Sequence, residues 1–584
     1  MTQQAPIRNV AVLGAGVMGA QIAAHCINAR VPVILFDLAA KDGPKNGIAD
    51  KAVANLARLS PAPLGLAEDA QWIRTANYDT DLPLLADCDL VIEAIAERMD
   101  WKHALYRRVT PHLRSDALFA TNTSGLSIQT LSEGFDPALR ARFCGVHFFN
   151  PPRYMALVEL IPTAMTQPQA LDRLETFLTS ALGKSVVRAL DTPNFVANRV
   201  GVFSMLATMH EAAVHGITFD VVDDLTGQRL GRAKSATFRT ADVVGLDTLA
   251  HVIGTMRDNL PPAADPFAAL YATPPALQAL IERGAFGQKN GAGFFKKSGK
   301  EILRFDPARG DYTTAGGRAD EEIGRILKRP AAERVEALHA SEHPQGRFLW
   351  SVFRDVWHYI AVHLENVADN ARDLDLAIRW GFGWSEGPFE SWQAGGWRRI
   401  ADWVAADIAA GKALCEAPLP DWVGKIDAAH RPEGSWSARK GAYQPRRDLP
   451  IRSRQLFPQT VRGEAAADPT QAGATVFEDA SIRLWTAPRQ DDVLIASFKT
   501  KMNTLGPGVI AGIDNALERA AGGFAGLVIW QTAEPFSAGA DLQAMAAGFA
   551  AGGARAIEAE ELRLQELVLR VRYSPAPVIA AIRG

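Results

Sequence analysis

His147 closes an apolar run, Phe143–His147, and Glu159 lies twelve residues on inside a second one. Histidine has an ordinary pKa close to neutrality, so it can take up and return a proton. A carboxylate set among hydrophobic neighbours needs a partner. Paired with His147, Glu159 would fix the imidazole tautomer and stabilise the imidazolium that forms when the base takes a proton. Such a couple suits proton abstraction from a hydroxyl whose carbon gives up hydride. Ser124 follows another apolar run, Ala117–Ala120, and its hydroxyl could bond a substrate oxygen. Each residue also has a plain structural reading as a strand-end histidine, an exposed strand glutamate, and a turn or cap serine. Residue chemistry alone leaves both readings open.

The local pattern is sharper at Gly14-Ala15-Gly16-Val17-Met18-Gly19, between a strand-like run Ile7–Leu13 and a helical stretch through about Ala29. Gly14 permits a tight turn, Gly16 lets the backbone approach a pyrophosphate, and Gly19 allows close helix–strand packing. The helix N-terminus at Met18 offers free N–H groups and a positive dipole end to phosphates. A second strand, Val31–Phe36, ends at Asp37, whose carboxylate can accept from both adenosine ribose hydroxyls and repel a 2′-phosphate. The expected cofactor is NAD, with no metal.

These groups need elements to carry them. The first 190 residues alternate short apolar runs with helical stretches, the mark of a parallel α/β sheet. Leu90–Ala94 is a further strand candidate. After Asp191-Thr192-Pro193 the pattern turns helical, as in Val200–Val214, up to a glycine-rich stretch Gly287–Lys297. A loose internal repeat relates Asp224-Leu225 and Phe238 to Asp375-Leu376 and Phe389. An amphipathic helix precedes each copy, near Met205–Val214 and Trp350–Leu364, which suggests two helical units packed on each other. A segment rich in Arg, Pro, Ser, Gln and Gly reads as a linker. Beyond it, strands Val493–Phe498 and Phe524–Trp530 flank a helix near Val509–Ala520.

The expected architecture is therefore α/β, in six parts. A Rossmann-like sheet domain spans 1–190, and two all-α units span 191–300 and 346–430 with a connector at 301–345. A linker at 431–475 leads to a second, incomplete α/β domain at 476–584. The 584 residues are 48% hydrophobic and 22% charged with a formal charge of −3, which supports folded cores and gives no electrostatic case for nucleic acid. Cys26, Cys88, Cys144 and Cys415 lack metal-ligand spacing and read as buried thiols of a reducing compartment. With no signal-peptide pattern and no apolar run of membrane length, the expected location is cytoplasmic.

The series GAGVMG, Thr121-Asn122-Thr123-Ser124-Gly125-Leu126, His147-Phe148-Phe149-Asn150-Pro151-Pro152 and Val158-Glu159-Leu160 resembles the 3-hydroxyacyl-CoA dehydrogenase family over about residues 7–297. That resemblance implies oxidation of (S)-3-hydroxyacyl-CoA to 3-oxoacyl-CoA with NAD, in fatty-acid β-oxidation. It makes His147 the base, Glu159 its partner and Ser124 a substrate-oxygen ligand. Asn198, in Asn194-Phe195-Val196-Ala197-Asn198-Arg199, matches the family's active-site asparagine, and Glu97 and Lys102 match cofactor contacts. The family inserts a helical hairpin for CoA after its second strand. Lys41–Asp79 take that place, with Lys45, Lys51 and Arg58 as candidates for CoA phosphates. The all-α units resemble the 6-phosphogluconate dehydrogenase C-terminal domain. Enzymes of the 6-phosphogluconate and glycerol-3-phosphate dehydrogenase type share this plan but use a lysine base, against which His147 and Glu159 argue. The first helical copy departs from the family's glycine/proline turn at Leu230–Phe238, while the second keeps it at Gly381–Phe389. The helical domain makes the dimer in stand-alone members, so a fused copy could replace the partner.

Met502-Asn503-Thr504-Leu505 and Pro535-Phe536-Ser537-Ala538-Gly539-Ala540-Asp541-Leu542 resemble the enoyl-CoA hydratase/isomerase (crotonase) family. There, backbone N–H groups polarise a thioester carbonyl, and Ala538 would supply one. The second donor would follow a strand like Pro577–Ile582, near Gly584 where the sequence stops. The expectation is a truncated domain without hydratase activity of its own, the alternative being a bifunctional hydratase–dehydrogenase in a longer parent. A thiolase partner or a homo-oligomer fits that multifunctional plan.

Overall fold

The structure is a computed structural model that describes residues 6–447, 449, 473–488 and 490–582, in two units divided at Arg447. In the first unit, eight strands form one sheet: β1 Val10–Leu13, β2 Val33–Asp37, β3 Ile73–Asn77, β4 Leu90–Glu93, β5 Leu118–Thr121, β6 Phe143–Phe148, β7 Leu157–Pro162 and β8 Ser185–Arg188. Their order is β3-β2-β1-β4-β5-β6-β7-β8. The strands are apolar because both faces are covered. On β1, Val10 and Val12 join the core that holds Ile22 and Cys26 of helix α1 (Val17–Asn28). Ala11 and Leu13 join the core on the opposite face.

The expected parallel sheet is present, and two further strands extend it. The first six strands run parallel, but β7 is antiparallel to β6, and β8 follows β7. The sheet is mixed because a hairpin after β6 reverses the chain. A buried apolar strand carries no sign of its direction, so composition could not reveal the reversal. The insertion after β2 also differs from a helical hairpin. It holds one helix, α2 (Gly47–Leu56), then a 3₁₀ stretch Ala67–Trp72 that leads into β3.

The first helical copy contains α3 (Ala197–Val214), α4 (Phe219–Thr226), α5 (Phe238–Val244) and α6 (Leu246–Asn259). The connector is structured: β9 Phe295–Ser298, β10 Glu301–Asp306 and β11 Asp311–Thr314 form an antiparallel sheet, followed by two short helices. The second copy contains α7 (Pro344–Val367), α8 (Ala371–Phe382) and α9 (Pro388–Ala409). Residues 431–444, expected in the linker, instead pair as β12 His430–Arg431, β13 Gly434–Ser437 and β14 Ala442–Gln444. Most of the remaining linker lies outside the described residues.

The two copies do pack on each other. Helix α3 is buried on nearly all sides, as a helix inside a bundle must be. Phe203 stacks on Tyr359 of α7 with ring centroids 3.7 Å apart. The repeat is real but its register shifts by one: Asp223, not Asp224, is the counterpart of Asp375. Asp223 accepts from the backbone N–H of Thr237, Phe238 and Arg239 at 3.1, 2.8 and 3.0 Å. Asp375 accepts from those of Phe389 and Glu390, each at 2.9 Å. The first copy keeps this clasp despite lacking the glycine/proline turn. Asp224 is only half-buried and bonds Arg229 and Ala319.

In the second unit β15 (Ala474–Glu478), β16 (Ile482–Ala487), β17 (Gln490–Phe498), β18 (Gly526–Ile529) and β19 (Val578–Ala580) form a sheet in that order, with β17, β18 and β19 parallel. Helix α10 (Pro507–Ala521) crosses between β17 and β18. The long α11 (Leu542–Arg572) buries only Leu567, while Phe549, Leu562, Val568 and Leu569 are exposed. Among the described residues no helix is long and apolar enough to cross a membrane. Cys26, Cys88 and Cys144 are buried, and Cys415 only partly.

Two stability predictions follow from the helical copies. Asp223→Ala strands three buried N–H donors and should cost on the order of 3 kcal/mol in urea unfolding, against about 1 kcal/mol or less for Asp224→Ala. A shift of similar size for both would contradict the clasp. At the α3–α7 contact, Arg354 meets Asp355 at 2.8 Å and Glu211 and Asp407 at 3.6 Å each. Burial pushes Asp355 up to about 7 and raises Glu211. The native state thus holds protons that the unfolded chain releases from about pH 4 upward. Stability should fall as pH rises through about 4 to 7, and Asp355→Asn should flatten that slope; an unchanged slope would count against the assignment.

Candidate active site

The β6–β7 hairpin sets His147 directly opposite Glu159 in the register. Their side chains meet through His147 Nδ1 and Glu159 Oε2 at 2.7 Å, with His147 5% and Glu159 0% exposed. A carboxylate only accepts, so Nδ1 carries a proton, and in the neutral tautomer this leaves the lone pair on Nε2. The second carboxylate oxygen is also held: Val196 N–H and Ala197 N–H donate to Oε1 at 3.1 and 2.8 Å. Those amides lie at the N-terminus of α3, whose unpaired donors and positive dipole end favour a carboxylate. Glu159 therefore ties the sheet to the helical copy while orienting the His147 ring.

Other groups close around the imidazole. The Phe149 and Phe195 rings lie 4.5 and 5.6 Å from it. Asn122, inside the Thr121–Leu126 motif but given no role from sequence, accepts from Phe148 N–H at 2.9 Å and pins the strand that carries His147. Helix α8 of the second copy walls the same region: a Cβ on Gly381 would sit 2.9 Å from Leu157 and 3.2 Å from Ala197.

Ser124 is partly buried at the carboxyl edge of the sheet. Glu97 holds it, accepting from Ser124 N–H at 2.7 Å and from its hydroxyl at 3.1 Å, and it also takes the Thr123 hydroxyl. Asn198 stands in the first turn of α3, partly exposed, and its side chain makes no hydrogen bond among the described residues. Lys102 is not a solvated helix residue. It is fully buried, with Nζ 2.6 Å from Glu93 Oε1, and Glu93 also takes Tyr106 and Thr121 hydroxyls at 2.7 Å each. Glu93 escaped the sequence reading because nothing in it separates a strand-end glutamate from an ion-pair hub.

At the glycine loop, the backbone explains each glycine. Gly14 has φ +103°, and a Cβ there would lie 2.8 Å from Ala94 O; one on Gly19 would collide with Gly14 O. Around Gly16 the space is open, with nothing within 4 Å of an added Cβ, so a pyrophosphate can approach the N-terminal amides of α1 at Val17 and Met18. Asp37 holds the loop, accepting from Ala15 N–H at 2.6 Å and Leu38 N–H at 2.7 Å. These bonds leave lone pairs for ribose hydroxyls, so the residues present fit a dinucleotide. Lys45, Lys51 and Arg58 are all exposed on or beside α2.

In the second unit the two crotonase-like motifs meet. Asn503 Nδ2 donates to Ala533 O and Pro535 O at 3.1 and 2.7 Å, and Leu505 bridges Ala540. Ala538 does not offer a free N–H, because it donates to Met502 O at 3.1 Å. Met502 and Asn503 turn the chain through positive φ, and that turn aims the carbonyl at Ala538. The N–H of Ala540 has no such acceptor among the described residues.

Comparison with known proteins agrees with this geometry. Residues 9–192 match the family model for the 3-hydroxyacyl-CoA dehydrogenase NAD binding domain, and 195–297 match that family's C-terminal domain. A probable 3-hydroxyacyl-CoA dehydrogenase of Bacillus subtilis (strain 168) is 33% identical over 99% of this chain and 73% of its own length. A putative fatty acid oxidation complex trifunctional enzyme of Rickettsia felis is 30% identical over 100% of this chain and 75% of its own length. The crystal structure of 3-hydroxybutyryl-CoA dehydrogenase from Escherichia coli K12, 22% identical, shares the fold with a TM-score of 0.54, covering 72% of this chain and 98% of that one. The chain belongs to the 3-hydroxyacyl-CoA dehydrogenase family, whose NAD-dependent oxidation of 3-hydroxyacyl-CoA is its activity.

Proposed function

We propose that His147 is the general base of this dehydrogenase, acting within fatty-acid β-oxidation on (S)-3-hydroxyacyl-CoA. The observation that carries the reading is the 2.7 Å contact between His147 Nδ1 and the fully buried Glu159, which leaves Nε2 free to take a proton. NAD, when bound, supplies the hydride acceptor. His147 Nε2 takes the hydroxyl proton as hydride leaves the carbon, and Glu159 stabilises the imidazolium that results. Two backbone amides, of Val196 and Ala197, hold its other carboxylate oxygen in place. The Ser124 hydroxyl, steered by Glu97, bonds the substrate oxygen, and Asn198 meets the substrate from the first turn of α3. Lys51 and Arg58 attract CoA phosphates from the exposed face of the insertion.

Two assays test the roles. His147→Gln, with NADH formation followed from a 3-hydroxyacyl-CoA and NAD, should lower kcat by about 10³-fold and change KM little. A variant that keeps most of its activity would assign the base elsewhere. The Asp37 carboxylate should give a strong preference for NAD over NADP that Asp37→Ser narrows by roughly tenfold or more, since the change removes the charge opposed to a 2′-phosphate. Equal use of both cofactors by the parent chain would overturn it.

A further inference from the structure

Arg199 has no part in the chemistry above, yet it is 3% exposed and is the third residue of α3, beside the amides that hold Glu159. Its guanidinium is almost fully used. Nη1 donates to Thr192 Oγ1 at 2.6 Å and Nε to the Tyr359 hydroxyl at 3.1 Å. Nη2 reaches Asp265 Oδ2 at 3.2 Å and His363 Nδ1 at 3.3 Å. Thr192 and Asp265 belong to the first half of the unit. Tyr359 and His363 stand four residues apart on α7, in the second helical copy.

The protons of this cluster can be placed without conflict. Because His363 Nδ1 accepts from Arg199, its proton sits on Nε2, which donates to Asp265 Oδ1 at 3.1 Å. Tyr271 has one hydroxyl proton and gives it to Asp265 Oδ2 at 2.7 Å. It is therefore the acceptor in its 3.1 Å contact with Tyr359, whose own oxygen takes the Arg199 Nε–H. One positive and one negative charge lie buried together, with their remaining sites filled by neutral groups.

A network of this kind is a poor way to glue two helices, since apolar residues of the same volume do as well or better. The α3–α7 contact already has Phe203 stacked on Tyr359 and an α3 buried on nearly all sides. What the network adds is a fixed geometry at one point. The chain enters α3 through Asn194 and Phe195, both non-glycine residues at positive φ of 62° and 51°. Such a turn persists only where its surroundings over-determine it. Arg199 reaches back across it to Thr192 and forward to α7. The next two residues, Val196 and Ala197, must both aim their N–H groups at Glu159 Oε1, and such bonds weaken steeply with angle.

We infer that Arg199, held by Tyr359 and His363 of the second helical copy, is a positioning residue for the catalytic pair. It locks the entry to α3 so that two amides fix Glu159 and Glu159 fixes His147. The second copy thus governs the base without touching substrate. This rests on His147 as base.

The test uses the full chain. Tyr359→Phe keeps the ring on Phe203 and removes the acceptor of Arg199 Nε together with the bond to Tyr271; Arg199→Lys keeps the charge and loses the fork. Both should lower kcat at least fivefold, with KM for the acyl-CoA and Kd for NADH within about twofold of the parent. Ser351→Ala, on the same helix where its hydroxyl meets His215, should leave kcat unchanged. In a Glu159→Gln background, Tyr359→Phe should cost nothing further, because the two changes break one chain of contacts. Unchanged kcat in either variant overturns the inference, as does an equal loss with and without Glu159→Gln. Should Tyr359→Phe fail to fold, Arg199→Lys carries the same comparison. A parent chain that makes no NADH sinks the proposed function and this inference with it, whereas an active parent with a fully active Tyr359→Phe sinks this inference alone.

Discussion

A single buried carboxylate joins the sheet to the helical domain in the first unit. Glu159 faces His147 across a strand pair on one side and the N-terminus of α3 on the other, with no exposure to water. A buried charge with one partner is costly, whereas one with three hydrogen-bond donors is tolerable. That requirement constrains much else. The sheet must reverse at β6–β7 to set the pair in register, and α3 must begin where its first amides reach the same carboxylate. The helical domain is therefore docked on the sheet by the same group that holds His147.

The second helical copy extends the same logic. It buries α3, walls the site through α8, and supplies two of the side chains around Arg199. Repeats of a helical unit bury one another's apolar faces, and here the second copy covers α3 of the first. The Asp223 and Asp375 clasps show how both copies make the same turn with different residues. The carboxylate clasp is common to both copies, with the glycine/proline turn in the second and without it in the first.

What could be read in the sequence was what depends on local chemistry. Gly19 is demanded by the Gly14 carbonyl of the same strand–turn–helix, Gly14 by its positive φ and the nearby Ala94 carbonyl, and Gly16 leaves open the space a pyrophosphate would take, so the pattern survives as a motif. His147 and Glu159 were visible as a plausible couple, and the flanking motifs raised them further. Features that depend on the backbone were not legible: nothing in Val196 or Ala197 announces that their amides will hold a carboxylate. The direction of β7, the one-residue slip from Asp224 to Asp223, and the half-exposed strands of β9–β11 depend on tertiary pairing rather than on periodicity. Ala538 was chosen by position in a motif, and the Met502 turn that consumes its N–H comes from a segment more than thirty residues earlier.

The claim at the centre is that Glu159 acts on the chemical step by holding His147, not on binding. Single-turnover formation of NADH by Glu159→Gln, from preformed complex with saturating 3-hydroxyacyl-CoA, addresses it directly. The account predicts a hydride-transfer rate at least about tenfold below the parent, with unchanged affinity for NAD. A rate equal to the parent's, or a loss confined to binding, would contradict it.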